Sequence, residues 1–143
     1  MQNPALVVGG VLSAVASLAH LATIVGGPSW YRFMGAGERM ARMAEKGELR
    51  PTLITLGIAA VLAIWAAYAF AGAGLIPRLP LMRTALVAIS AIYLVRGLAP
   101  VPVLFVTTGG VTPFWLWSSL IVLTLGVCYA VGTWTAWPAL STR

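Results

Sequence analysis

Four side chains stand out for the chemistry they could do in so apolar a chain: His20, Glu38, Tyr93 and Arg96. A guanidinium offers a planar fork of donors that holds an anionic or carbonyl oxygen bidentately. His20, the only histidine, is of the type that carries a proton near neutral pH. Tyr93 lies one turn before Arg96, on nearly the same helical face. Glu38 opens a charged segment, and Trp30 and Tyr31 ahead of it are the aromatic types that favour headgroup depth. Ionisable groups within membrane spans are costly, which makes them functional candidates by default. Gathered at one surface, these six residues would form a ligand pocket in which Arg96 takes an oxygen and His20 moves a proton.

Three of these residues also have a plainer role open to them. His20 could donate to a backbone carbonyl on a neighbouring helix and only lock packing. Arg96 could reach lipid phosphates as an interface anchor, and Glu38 could be an exposed carboxylate near a positive helix N-terminus. Metal binding is not expected: there is one histidine, one cysteine (Cys128) in an apolar run, and three carboxylates confined to one loop. No serine-hydrolase elbow, zinc-protease helix or phosphate-binding glycine loop is present. The residues point to no particular cofactor, and they leave open whether the protein is an enzyme.

The composition decides the setting. The chain is 60% hydrophobic and 8% charged, with mean hydropathy +0.94, whereas a soluble domain carries about 25% charged residues. All three carboxylates and five of the nine cations fall between Arg32 and Arg50. The net charge of +6 does not indicate nucleic acid, because no basic stripe or aromatic platform accompanies it. The cations instead sit at the ends of apolar runs, where they meet lipid phosphates and set topology.

About 20 apolar residues are needed to cross the hydrocarbon core, and four stretches supply them: residues 5–27, 51–72, 81–99 and 113–137. The first lacks the cationic flank of a signal peptide and reads as a retained helix. Trp117 and Trp134 in the fourth are 17 residues apart, about 25 Å along a helix, close to the spacing of two interfacial belts. Residues 101–110 are apolar but too few to span, so they form an interfacial or re-entrant connection, or continue the third helix past a proline kink. We favour a third helix that ends near Ala99. Between the first two spans, residues 36–46 read as a short amphipathic interfacial helix. Met40, Met43 and Ala44 share its apolar face, Phe33 extends that face upstream, and Gly47 ends the helix. Glu38 pairs with Arg42, and Arg42 with Glu45.

The expected fold is therefore an all-α integral membrane protein, a four-transmembrane-helix bundle in a single domain, with an interfacial helix in loop 1. Small residues should carry the helix contacts: Gly9, Ser13 and Ser17 on the first span, Gly126 and Ala130 on the fourth. Four crossings place the loop 1 and loop 3 ends together. The excess of cations there puts that side in the cytoplasm if the positive-inside rule is taken literally.

With residues 5–96 in view, the layout resembles the small four-helix bacterial inner-membrane proteins called DoxX-like. The likeness rests on length, an apolar first span, and the aromatic-bearing loop Gly27-Pro28-Ser29-Trp30-Tyr31-Arg32-Phe33-Met34-Gly35 before the second span. It is architectural and transfers no functional residue. It implies a multi-pass protein of the bacterial inner membrane, in a group some of whose members are linked to redox or quinone complexes. The sequence alone leads to a small membrane protein that binds a hydrophobic or lipid-like ligand, or a partner membrane subunit, at the loop 1 and loop 3 face. The ligand-binding candidates are His20, Trp30, Tyr31, Glu38, Tyr93 and Arg96. The alternatives are a membrane enzyme or redox accessory acting on a quinone or isoprenoid-type substrate, and a homo-oligomeric transporter or channel. Its expected partners are the lipid bilayer and either a second copy or another membrane subunit.

Overall fold

A computed structural model describes residues 2–106 and 109–141. Among them there are helices and no strands. The elements are α1 (Pro4–Gly26), α2 (Pro28–Phe33), α3 (Glu38–Glu45), α4 (Leu49–Gly72), α5 (Met82–Leu98), α6 (Pro100–Val106) and α7 (Pro113–Ala136), followed by a 3-10 turn at Ala139–Ser141.

Four stretches are long and apolar enough to cross a membrane: Pro4–Gly26, Leu49–Gly72, Met82–Val106 and Pro113–Ala136. Their lengths of 23 to 25 residues correspond to about 35–38 Å at 1.5 Å per residue, more than the roughly 30 Å of a hydrocarbon core. The chain is an all-α, multi-pass membrane protein, and its four spans are those expected from the sequence.

Local chemistry sets the ends of these helices. Pro4 and Pro113 lie in first turns, where a missing N–H costs nothing. Asn3 caps α1 by accepting from Leu6 N at 3.1 Å, and Thr112 caps α7 by accepting from Trp115 N at 3.1 Å. The helices α3 and α4 end alike. Gly47 and Gly74 adopt φ of 73° and 78°, which glycine reaches without steric penalty. Their amides, and those of the residues after them, fold back onto carbonyls of the last turn.

The third span differs from the expectation in one respect. Its hydrogen bonding breaks at Ala99, where expected. Ala99 nonetheless keeps helical dihedrals, φ −53° and ψ −34°, and α6 resumes at once, so the expected connection at 101–110 is helical as far as Val106. Pro100 and Pro102 have no N–H, so the carbonyls of Arg96 and Leu98 lack their usual donors four residues on. Helical dihedrals fit proline's fixed φ, which is why the backbone continues although the ladder is interrupted. Thr107 and Thr108 of that stretch lie outside the described residues.

Contacts divide the chain into two compact units, Met1–Leu12 with Trp65–Arg143, and Ser13–Ile64. In the first unit α5 packs along α7. The two backbones meet closest at glycines: a Cβ on Gly97 would lie 2.7 Å from Leu123 N and Cα, and one on Gly126 would lie 2.9 Å from Leu94 N. At the other end of α7, Asn3 Nδ2 donates to Gly132 O at 3.0 Å and to Thr135 Oγ1 at 2.8 Å. Leu6 is fully buried and fills the space beside Gly132 and Gly72. Arg83 lies 4.4 Å above the Trp137 ring and donates to Trp137 O at 2.9 Å, a favourable position for a cation at a helix C-terminus.

In the second unit, Ser17 Oγ donates to Ala59 O at 2.7 Å, which ties α1 to α4. Ser13 and Ser17 are both buried. Of the small-residue positions expected to make helix contacts, Gly9 and Ser17 on α1 and Gly126 on α7 do so.

Candidate functional site

The second unit holds His20, Trp30, Tyr31 and Glu38. His20 lies on the α1 face that buries Ser13 and Ser17, and its ring is half-buried. Its Nδ1 is 2.8 Å from Ala16 O, one turn back in the same helix. A carbonyl only accepts, so Nδ1 carries the hydrogen in this contact and Nε2 is the ring nitrogen left for another group. Nε2 has no hydrogen-bond partner among the described residues. The ring therefore does not bond a neighbouring helix, as the packing role expected of it would require.

The helix α2, absent from the sequence reading, forms because Pro28 occupies its first turn behind a left-handed Gly27. It carries Trp30 and Tyr31 in different directions. Trp30 is exposed and lies across the backbone at Gly26, occupying the space a Cβ there would need. Tyr31 is buried, and its hydroxyl accepts from Thr55 Oγ1 on α4 at 3.3 Å. Phe33, expected to extend the apolar face of α3, is instead 76% exposed. The chain turns at Gly35 and Gly37, both at positive φ, and this separates α2 from the apolar stripe of α3. The residue that completes that stripe is Ala41, fully buried beside half-buried Met40, Met43 and Ala44.

Glu38 belongs to an ion-pair cluster that joins α2 to α3. Arg32 Nε meets Glu38 Oε2 at 2.8 Å, and Arg32 NH2 meets Glu38 Oε1 at 3.0 Å. The same nitrogen meets Glu45 Oε1 at 2.7 Å. Arg42 Nε reaches Glu38 Oε1 at 3.1 Å, the pair expected from the i, i+4 spacing. Glu45 is taken by Arg32 instead of Arg42. The Arg32 guanidinium, followed by that of Arg42, holds the Glu38 carboxyl well below the usual carboxylate range, at about 2. In turn Glu38, then Glu45, raises the Arg32 guanidinium further above its ordinary value. The cluster is exposed to solvent, so it fixes the orientation of two short helices more than it adds stability.

The first unit holds Tyr93 and Arg96. Tyr93 is buried, edge-on to Trp65 at 4.9 Å and 87°, and 5.3 Å from the tilted Tyr129 ring. Tyr129 donates its hydroxyl to Trp65 O at 2.9 Å. Tyr93 is thus part of an aromatic cluster with Trp65 and Tyr129.

Arg96 is oriented by α7. Its NH1 donates to Ser119 Oγ at 2.7 Å and its NH2 reaches Ser118 Oγ at 3.5 Å, while Ser118 Oγ donates onward to Trp115 O at 3.1 Å. No carboxylate pairs with Arg96 among the described residues. A guanidinium has five N–H donors, so Nε–H and one hydrogen on each terminal nitrogen remain for another acceptor. Arg96 also lies deeper than a helix ending near Ala99 implies. Val106 is ten positions on, about 15 Å, and Ser119 is six positions beyond Pro113, about 9 Å into α7.

No family model, curated protein or solved structure matches this chain. What the site can do therefore rests on its own residues. Sequence reasoning missed Arg32, Ser118 and Ser119. Arg32 gave no signal because its partners lie at spacings of 6 and 13 residues, across a turn. The serines gave one: two adjacent hydroxyls about one and a half turns inside an apolar span that also carries Trp115 and Trp117.

Proposed function

We propose that this small membrane protein binds a hydrophobic, lipid-like ligand through an oxygen-bearing head, with Arg96 as the group that takes that head. One observation carries the reading: a cation set within an apolar span is held by two neutral serine hydroxyls and no carboxylate. Two hydroxyls orient a guanidinium without neutralising it, so an anionic or carbonyl oxygen is the partner its charge and remaining donors suit. A planar fork favours two oxygens of one head, as in a phosphate, a carboxylate or a quinone carbonyl beside its substituent.

The test is native mass spectrometry on protein released in mild detergent. A bound molecule of defined mass should be retained by the wild type, lost in Arg96→Leu, and largely lost in Arg96→Lys, because an ammonium cannot reproduce the fork. Retention by Arg96→Lys equal to wild type would reduce Arg96 to an interface anchor, and an unliganded wild type in lipid-replete preparations would sink the reading.

His20 supports a second reading, an enzyme or redox accessory acting on a quinone or isoprenoid-type substrate. Its Nε2 lies inside a span with no hydrogen-bond partner among the described residues, and an imidazole so placed is the side chain suited to proton transfer. That reading requires His20→Ala to abolish turnover of such a substrate while the protein stays folded.

A further inference from the structure

We infer that the α2–α3 segment and the start of α4 form a surface that binds the phosphates of anionic lipid headgroups, with Arg39, Lys46 and Arg50 as the contacting cations. The segment from Arg32 to Arg50 has five cations and three carboxylates, but the pairing within it is uneven. Glu38 and Glu45 are consumed by Arg32 and Arg42. Arg39, Lys46 and Arg50 are exposed and have no ion-pair partner among the described residues. Glu48 is the one carboxylate left against these three. The internal pairs thus leave three cations against one carboxylate, a net positive surface.

Two of these cations also share one side of α3. Arg39 and Lys46 are seven residues apart, so they fall on one line along α3, about 10 Å apart. Met43 lies between them at the edge of the apolar stripe that Met40, Ala41 and Ala44 continue. That stripe is turned toward the protein, which leaves Arg39 and Lys46 on the outward side. Apolar side chains stay exposed at the adjoining helix ends: Val25 in the last turn of α1, Phe33 at the end of α2, and Leu49 and Leu53 at the start of α4. A surface that shows exposed apolar groups and unpaired cations together suits the boundary between acyl chains and phosphates. A soluble acidic partner would leave Phe33 and Leu49 in water.

The test uses the full-length protein in nanodiscs of equal phosphatidylglycerol and phosphatidylcholine, followed by detergent release and mass spectrometry of the retained lipid. Each cation near an anionic surface contributes about fivefold to lipid preference. The wild type should retain phosphatidylglycerol over phosphatidylcholine, and Arg39→Gln/Lys46→Gln/Arg50→Gln should lower that ratio at least tenfold. Arg39→Lys/Arg50→Lys, which keeps the charge, should preserve it. An equal ratio in the wild type, or an unchanged ratio in a triple variant that melts like the wild type, would overturn the inference.

Discussion

Gly97 and Gly57 provide a matched test of the packing that holds Arg96. The perturbation is the same at both positions, Gly→Ala in an apolar span, near the end of α5 for Gly97 and inside α4 for Gly57. At Gly97 the added methyl would sit 2.7 Å from Leu123 N and Cα and 2.8 Å from Leu123 Cβ. Carbon contacts settle at about 3.5–4.0 Å, so α5 and α7 must part by roughly 1 Å, and backbone atoms cannot rotate away as a side-chain tip can. Overpacking of this kind costs about 1–3 kcal/mol. Parting the helices also stretches the 2.7 Å bond from Arg96 to Ser119, worth about 1 kcal/mol more. Better helix propensity returns about 1 kcal/mol, which leaves a net loss of about 1–3 kcal/mol. At Gly57 nothing lies within 4 Å of the added methyl, so only the propensity gain of about 1 kcal/mol applies. The two variants should therefore differ by about 2–4 kcal/mol, with opposite signs relative to wild type. Equilibrium unfolding in mixed micelles, followed by circular dichroism, measures this directly. Gly97→Ala should also lose ligand retention while Gly57→Ala keeps it. If Gly97→Ala is as stable as Gly57→Ala, the close approach of α5 and α7 is wrong, and with it the placement of Arg96 against α7.

Two further predictions concern the second unit. His20→Ala should change thermal stability by less than about 1 kcal/mol, because the ring is half-buried and its bond returns to its own helix. A loss above about 2 kcal/mol in a melt would mean that the ring holds packing after all. The Glu38 carboxyl, held at about 2 against an ordinary 4.5, should stay charged at pH 4. A depressed folded-state value means that its contribution is complete above the unfolded value and is lost only as pH falls through about 2. A carbon-13 titration of the Glu38 carboxyl should show this midpoint, and Arg32→Gln should raise it. A wild-type midpoint above 4 would count against the Arg32 pairing.

The spans were legible because lipid imposes length and polarity on them directly. Residues 5–27 and 113–137 differ from α1 and α7 by no more than a residue at any end. The small-residue positions Gly9, Ser17 and Gly126 were legible for the same reason, since close backbone approach has few residue types to choose from. Gly97 was not, because no second small residue repeats its spacing into a pattern. Helical spacing revealed the Glu38–Arg42 pair but hid Arg32, whose partners depend on a turn through two left-handed glycines. The continuation at Pro100 was ambiguous because proline removes hydrogen bonds while its φ still fits a helix. Which of these wins depends on what the neighbouring α7 packs against, and a linear pattern does not contain that.

The interruption at Ala99 gives the third span a mechanical character that the other three lack. A helix resists bending through its ladder of hydrogen bonds, and here two successive alternate rungs are missing beneath Pro100 and Pro102. The span is a rod with a joint, and the joint lies one turn beyond Arg96. Flexing there would swing Pro100–Val106 while the α5 segment stays clamped to α7 through Gly97 and Gly126. A bend at that joint would be taken up beyond Arg96, leaving the guanidinium aimed at the two serines.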